Sequence, residues 1–121
     1  MKLSTVQRTL HAEVLCGNDC LECEVDTICG ADLMSDVLAF TAGRTILLTG
    51  LTNIQVVRTA FLSDLVAIVF IRGKRPTADI IEMAEKKGIP LLITAYPMYE
   101  ACGRLYAVGL NGQRESGGYG E

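Results

Sequence analysis

The chain has no tryptophan, three prolines, aromatic residues at only 6%, and a single histidine, His11. No motif ties His11 to a serine or cysteine nucleophile, so nothing indicates a catalytic base of the triad kind. His11 is expected at the surface or an interface. An excess of positive charge is missing too: 11 Lys and Arg face 14 Asp and Glu, a net charge of −3. That disfavours nucleic-acid binding through a broad basic face. No apolar run approaches the length of a membrane span. The start, Met1-Lys2-Leu3-Ser4, turns polar again within a few residues and does not read as a secretory signal. The expectation is a cytoplasmic protein with no membrane and no nucleic-acid partner. Neither a Walker A loop nor a dinucleotide fingerprint occurs.

What is present is apolar material: half of 121 residues, with 21% charged, enough for one core. One domain is expected over residues 1–110, followed by a polar, glycine-rich, flexible tail over 111–121. The stretch from Gly43 to Asn53 organises the rest. Ile46-Leu47-Leu48 is long enough for a buried strand, Thr49-Gly50 stops it, and Thr52 or Asn53 caps a helix in which Ile54, Val57 and Phe61 face inward. The arrangement recurs twice. Val66–Ile71 is a β-branched strand that turns through Arg72-Gly73-Lys74-Arg75-Pro76 into a helix over about 77–87, with Ile80, Ile81 and Ala84 inward. Leu91–Thr94 is the third strand, followed by a helix over about 98–108 with Met98, Ala101, Leu105 and Val108 inward. Three such units predict parallel strands with right-handed crossovers, and hence an α/β fold.

Upstream, Ser4-Thr5-Val6-Gln7 fits a capping box opening a helix over about 5–10. Ala12–Cys16 and Glu24–Cys29 read as two short strands, in a hairpin-like lead-in or at an edge of the sheet. Asp32 is a candidate cap for a short helix carrying Leu33, Val37, Leu38 and Phe40.

Five cysteines without an export signal are expected to be reduced. Cys16, Cys20 and Cys23 are spaced closely enough to hold zinc or an iron–sulfur cluster, with Cys29 or His11 as a fourth ligand. The spacing matches the cluster motif of radical S-adenosylmethionine enzymes, but the chain is too short for their partial barrel. The alternative is a core thiol at a strand end and two incidental turn thiols. Arg72, Gly73 and Lys74 are candidates to meet phosphate near a helix N-terminus, with Thr49, Gly50, Thr52 and Asn53 as the companion loop. Asp32 and Asp36 share a helix face and are weak acid/base or cation candidates, more simply a cap and a first-turn residue. Tyr96 and Tyr99 are placed to stack on a base, or to shield the sheet edge or a subunit contact.

From Gly43 to Leu110 the chain resembles the DRTGG domain family. The phrases are Thr45-Ile46-Leu47-Leu48-Thr49-Gly50, Ile71-Arg72-Gly73-Lys74-Arg75-Pro76, Gly88-Ile89-Pro90-Leu91-Leu92-Ile93-Thr94 and Tyr99-Glu100-Ala101. Leu3–Val14 and Asp32–Val37 also look like the family's start. The resemblance implies a three-layer α/β/α sandwich with a mainly parallel sheet, similar in fold to the N-terminal domain of HPr kinase/phosphorylase and commonly paired as a dimer. It also implies a regulatory role, associated with adenine nucleotides where the domain accompanies CBS domains in pyrophosphatases. This sequence departs from the eponymous residues: Leu51-Thr52-Asn53 stands where the family tends toward Asp-Arg, and Ile71-Arg72-Gly73 where it tends toward Thr-Gly-Gly. The expected protein is a non-enzymatic regulatory module that senses an adenine nucleotide or phosphorylated metabolite and works as a homodimer. The alternatives are a metal or iron–sulfur accessory protein built on Cys16, Cys20 and Cys23, and a pure protein–protein adaptor. The sequence identifies no particular cofactor.

Overall fold

A computed structural model describes residues 1–35, 37 and 43–111. Five strands form one sheet: β1 (Glu13–Cys16), β2 (Thr27–Gly30), β3 (Thr45–Thr49), β4 (Ala67–Phe70) and β5 (Leu91–Ile93). Their order is β1-β5-β4-β3-β2. Among the described residues the pairs β2–β3, β3–β4 and β4–β5 are parallel, and only β1 runs antiparallel, on β5. β3, β4 and β5 are buried along their whole length. That is why they are continuous apolar runs rather than alternating ones.

Helices α2 (Ile54–Leu62) and α3 (Ala78–Lys87) follow β3 and β4. Both cover the same sheet face, where Val56, Val57, Ala60, Ile80 and Ala84 meet Leu47, Ile68, Phe70 and Leu91. Helices α1 (Leu3–Thr9) and α4 (Met98–Ala107) cover the other face, packing Leu3, Val6, Ala101 and Leu105 on Ile46, Leu48, Val69 and Leu92. The result is the three-layer α/β/α sandwich with a mainly parallel sheet. The alternation of strand residues between the two cores follows from the period of two along a strand.

Several local expectations are corrected. Of the two readings of the N-terminal strands, the hairpin does not form and the edge placement does: β1 and β2 lie at opposite edges of the sheet. The Ser4–Gln7 capping box does not form. Burial of Leu3 draws the helix start forward, and Lys2 takes the cap position without a side-chain bond. The free N–H groups of Leu3 and Ser4 donate to the carbonyls of Cys23 and Leu21 at 2.9 and 2.8 Å, while Gln7 donates to the Ala12 carbonyl. Phe61 is half exposed rather than inward. The buried stripe of α2 runs through Val56, Val57 and Ala60, and Phe61 lies beside it, with the Lys87 ammonium of α3 4.3 Å over its ring. Val108 is likewise half exposed, because α4 ends at Ala107. Gly109, at φ 103°, turns the chain back so that Leu110 fills the core instead.

Candidate functional site

Parallel strands carry their carboxyl ends to the same edge, so four loops converge there. They supply Asp32 after β2, Thr49–Asn53 after β3, Arg72–Lys74 after β4 and Thr94–Tyr96 after β5.

The β3 loop is built around a buried hydroxyl. Thr49 donates to the Asp32 carboxylate at 3.0 Å and accepts from the Leu51 N–H at 3.2 Å. The Gly50 N–H donates to the same Asp32 oxygen at 2.8 Å. One carboxylate thus holds the end of β3, a charge-assisted arrangement. Asn53 caps α2, its side-chain oxygen accepting from the Val56 N–H at 3.3 Å.

The β4 loop turns through two successive left-handed residues, Arg72 (φ 57°) and Gly73 (φ 66°). The conformation costs a non-glycine residue about 1–2 kcal/mol. Two bonds across to the neighbouring loop hold it: Arg72 N–H to the Tyr96 carbonyl at 2.9 Å and Gly73 N–H to the Thr94 carbonyl at 2.8 Å. Thr94 is buried and in turn donates to the Leu10 carbonyl at 2.7 Å, tying the loop to α1.

The two loops meet at Gly50. A Cβ there would lie 3.0 Å from a guanidinium nitrogen of Arg72 and 3.7 Å from both Asp32 oxygens. The absence of a side chain at Gly50 lets the guanidinium approach the backbone, and its φ is not positive, so no special backbone conformation calls for the glycine. Of the loop's three cations, Arg75 is paired with Glu13 at 2.6 Å. Among the described residues, Arg72 and Lys74 make no ion pair. Thr49, Gly50 and Arg72 therefore come together; Gly73 joins through its backbone, and Asn53 serves as the cap. Thr52 and Lys74 flank the site and Lys74 is exposed. The amides of Gly50, Leu51, Arg72 and Gly73 all have internal acceptors, so an anion arriving here meets side chains rather than a backbone cradle.

Asp32, which the sequence suggested as a helix cap, is the residue that assembles the β3 loop. Its signal was its place just past β2, beside the β3 end in a parallel sheet. Asp36, its expected partner, lies outside the described residues, as do Leu38, Phe40 and positions 112–121 of the tail. Tyr96, in the loop after β5, lies under the Arg104 guanidinium, 4.2 Å from its ring centroid, with the His11 ring 6.2 Å away.

Cys20 lies close enough to Cys23 and Cys16 to interact with both. Cys16 is buried and donates to the Ile89 carbonyl, and Cys23 is exposed. Among the described residues, no group of three or more His, Cys, Asp or Glu is set to hold a metal ion. Burial pushes the Cys16 thiol above its usual range, and burial with Asp19 nearby does the same for Cys20.

Comparison with known protein families gives a match of residues 5–108 to the DRTGG domain. The chain belongs to the DRTGG domain family. One solved structure of a DRTGG domain that it resembles is the CBS and DRTGG region of the regulatory part of a Clostridium perfringens pyrophosphatase, complexed with its activator, diadenosine tetraphosphate. The TM-score is 0.68 at 17% identity, covering 86% of this chain. This DRTGG protein spans 45% of the length of that chain. No curated protein matches it. No helix among the described residues is long and apolar enough to cross a membrane.

Proposed function

We propose that this DRTGG domain is a non-enzymatic regulatory module that binds an adenine nucleotide or another phosphorylated metabolite and acts through a homodimer. The observation that carries the reading is the Arg72 guanidinium held over Gly50 at the strand ends, without an ion pair among the described residues. Arg72 and Lys74 supply charge for phosphate, and the start of α2 at Thr52-Asn53 adds the positive end of a helix. The pyrophosphatase region that shares the fold was crystallised with a dinucleotide activator, which makes adenine nucleotides the first ligands to try. Regulation follows if the ligand binds two arrangements of the dimer with different affinity.

Calorimetry of the full chain against AMP, ATP and diadenosine tetraphosphate tests this. At least one should bind, and Arg72→Ala should weaken it by about tenfold or more, the loss expected for one charge-assisted contact. Absence of both heat and a melting shift across all three ligands would refute the reading and leave a protein–protein adaptor.

A further inference from the structure

The outer face of α4 is unusually apolar for an exposed helix. Tyr99 is 92% and Tyr106 70% exposed. Between them and the β2 edge runs a cleft of about 420 Å³, floored by Ile28, Gly30, Cys102 and Leu110. A second cleft of about 480 Å³ lies on the other side of the same ridge, beside Glu100, Arg104 and Ala107. The two share Tyr99 and Gly103. A Cβ on Gly103 would meet nothing within 4 Å.

The inward residues Ala101 and Leu105 orient the helix. At 3.6 residues per turn, Gly103 and Ala107 then point outward, Tyr99 and Tyr106 to one flank, Glu100 and Arg104 to the other. We propose that this face pairs with a second copy of the chain, α4 against α4 and antiparallel, across a two-fold axis at Cys102–Gly103. The proposal deepens the homodimer part of the functional reading and rests on that part alone.

Charge and shape select this occupant. A two-fold axis lying across the helices reverses their direction and sets each flank against its own equivalent. Glu100 then faces Arg104 of the second copy, and Tyr99 faces Tyr106. The midpoints of both pairs fall at Cys102–Gly103, so one axis satisfies them together, and the notch at Gly103 lies where the helices cross. Glu100 and Arg104 pair within the helix at 3.2 Å, and Arg104 also lies over the Tyr96 ring, so pairing across the axis exchanges this half-exposed ion pair rather than adding a new one. A parallel pairing would set tyrosines against charges. The second copy's tyrosine side chains fit the apolar cleft, and aromatic anchors with a charged rim are the usual composition of such interfaces.

Analytical ultracentrifugation of the full chain from 1 to 100 µM tests the proposal. The unmodified protein should dimerise. Tyr106→Glu should weaken the dimer by more than about tenfold, because every change is present twice. Glu100→Arg and Arg104→Glu should each weaken it several-fold, and the double variant should restore it. All these side chains are at least 40% exposed, and circular dichroism checks that the fold is kept. A dimer indifferent to all of these changes would overturn the α4 interface while leaving the homodimer reading intact. A monomer at 100 µM would overturn both. Nucleotide binding is judged separately by the calorimetry.

Discussion

Replacing Asp32 with alanine removes the acceptor shared by the Gly50 N–H and the Thr49 hydroxyl, at 2.8 and 3.0 Å. Both donors are buried while Asp32 itself is exposed. Orphaning a buried donor costs about 1–3 kcal/mol, and water entering the vacated space recovers part of that. The expected loss is about 1.5 kcal/mol. For a domain of this size each kcal/mol lowers Tm by about 3–6 °C, so melting should fall by roughly 4–9 °C. Asp32→Asn keeps an oxygen for the same donors and loses only the charge, so it should cost about 0.5 kcal/mol. Differential scanning calorimetry gives the shifts, and amide exchange at Gly50 reports the local bond. The Asn variant carries a second expectation of opposite sign. Removing a negative charge beside Arg72 should tighten binding of any phosphate ligand while the fold weakens. An alanine variant melting within about 2 °C of the unmodified protein, with Gly50 still protected, would refute the assignment of Asp32 as the residue that holds the β3 loop.

Two further predictions concern positions away from that site. Gly17 has φ 86°, and a Cβ would lie 2.7 Å from the Cα and Cβ of Pro90, so Gly17→Ala should destabilise by about 3 kcal/mol, read from the urea midpoint. Hydrogen bonding from Arg44 holds the Asp26 carboxyl below its usual range. A depressed carboxylate pKa gives stability above the unfolded value, about 3.9, that is lost as pH falls through the folded one. Asp26→Asn should therefore lower the denaturation midpoint at pH 7 and converge with the unmodified protein near pH 2; an equal gap at both pH values would refute the pairing.

The β-α units were legible because each signal was local and redundant: Ile46–Leu48, Val66–Ile71 and Leu91–Ile93 are apolar runs closed by a turn or breaker. The cap at Asn53 was legible for the same reason, since its bond to Val56 spans three residues. What could not be read depended on distant partners. The amides of Leu3 and Ser4 find carbonyls of Cys23 and Leu21, so the capping box at Ser4–Gln7 had no donors left to satisfy. Asp32 bonds 17 and 18 residues away, and its local position mimics an ordinary helix cap. Phe61 and Val108 obey helical spacing but fall beside the sheet or beyond the helix end, which periodicity alone does not reveal. In the candidate site, Thr49, Gly50 and Arg72 were brought together as convergence of strand ends requires. The occupation of their amides by internal acceptors was not visible, because each acceptor lies on another loop or side chain.

The antiparallel pairing of β1 with β5 has a kinetic side. Glu13 pairs with Ile93 and Val14 with Leu92, so the strand made earliest finds its partner in the last strand made. β2 to β5 can assemble in order as each βα unit emerges, each adding beside its predecessor. β1 must wait for nearly the whole domain, and closing so long a loop is an entropic cost met only when β5 is in place. Within this domain the apolar stripe of α1, Leu3, Val6 and Leu10, is made before the sheet it packs against and stays uncovered until that sheet forms.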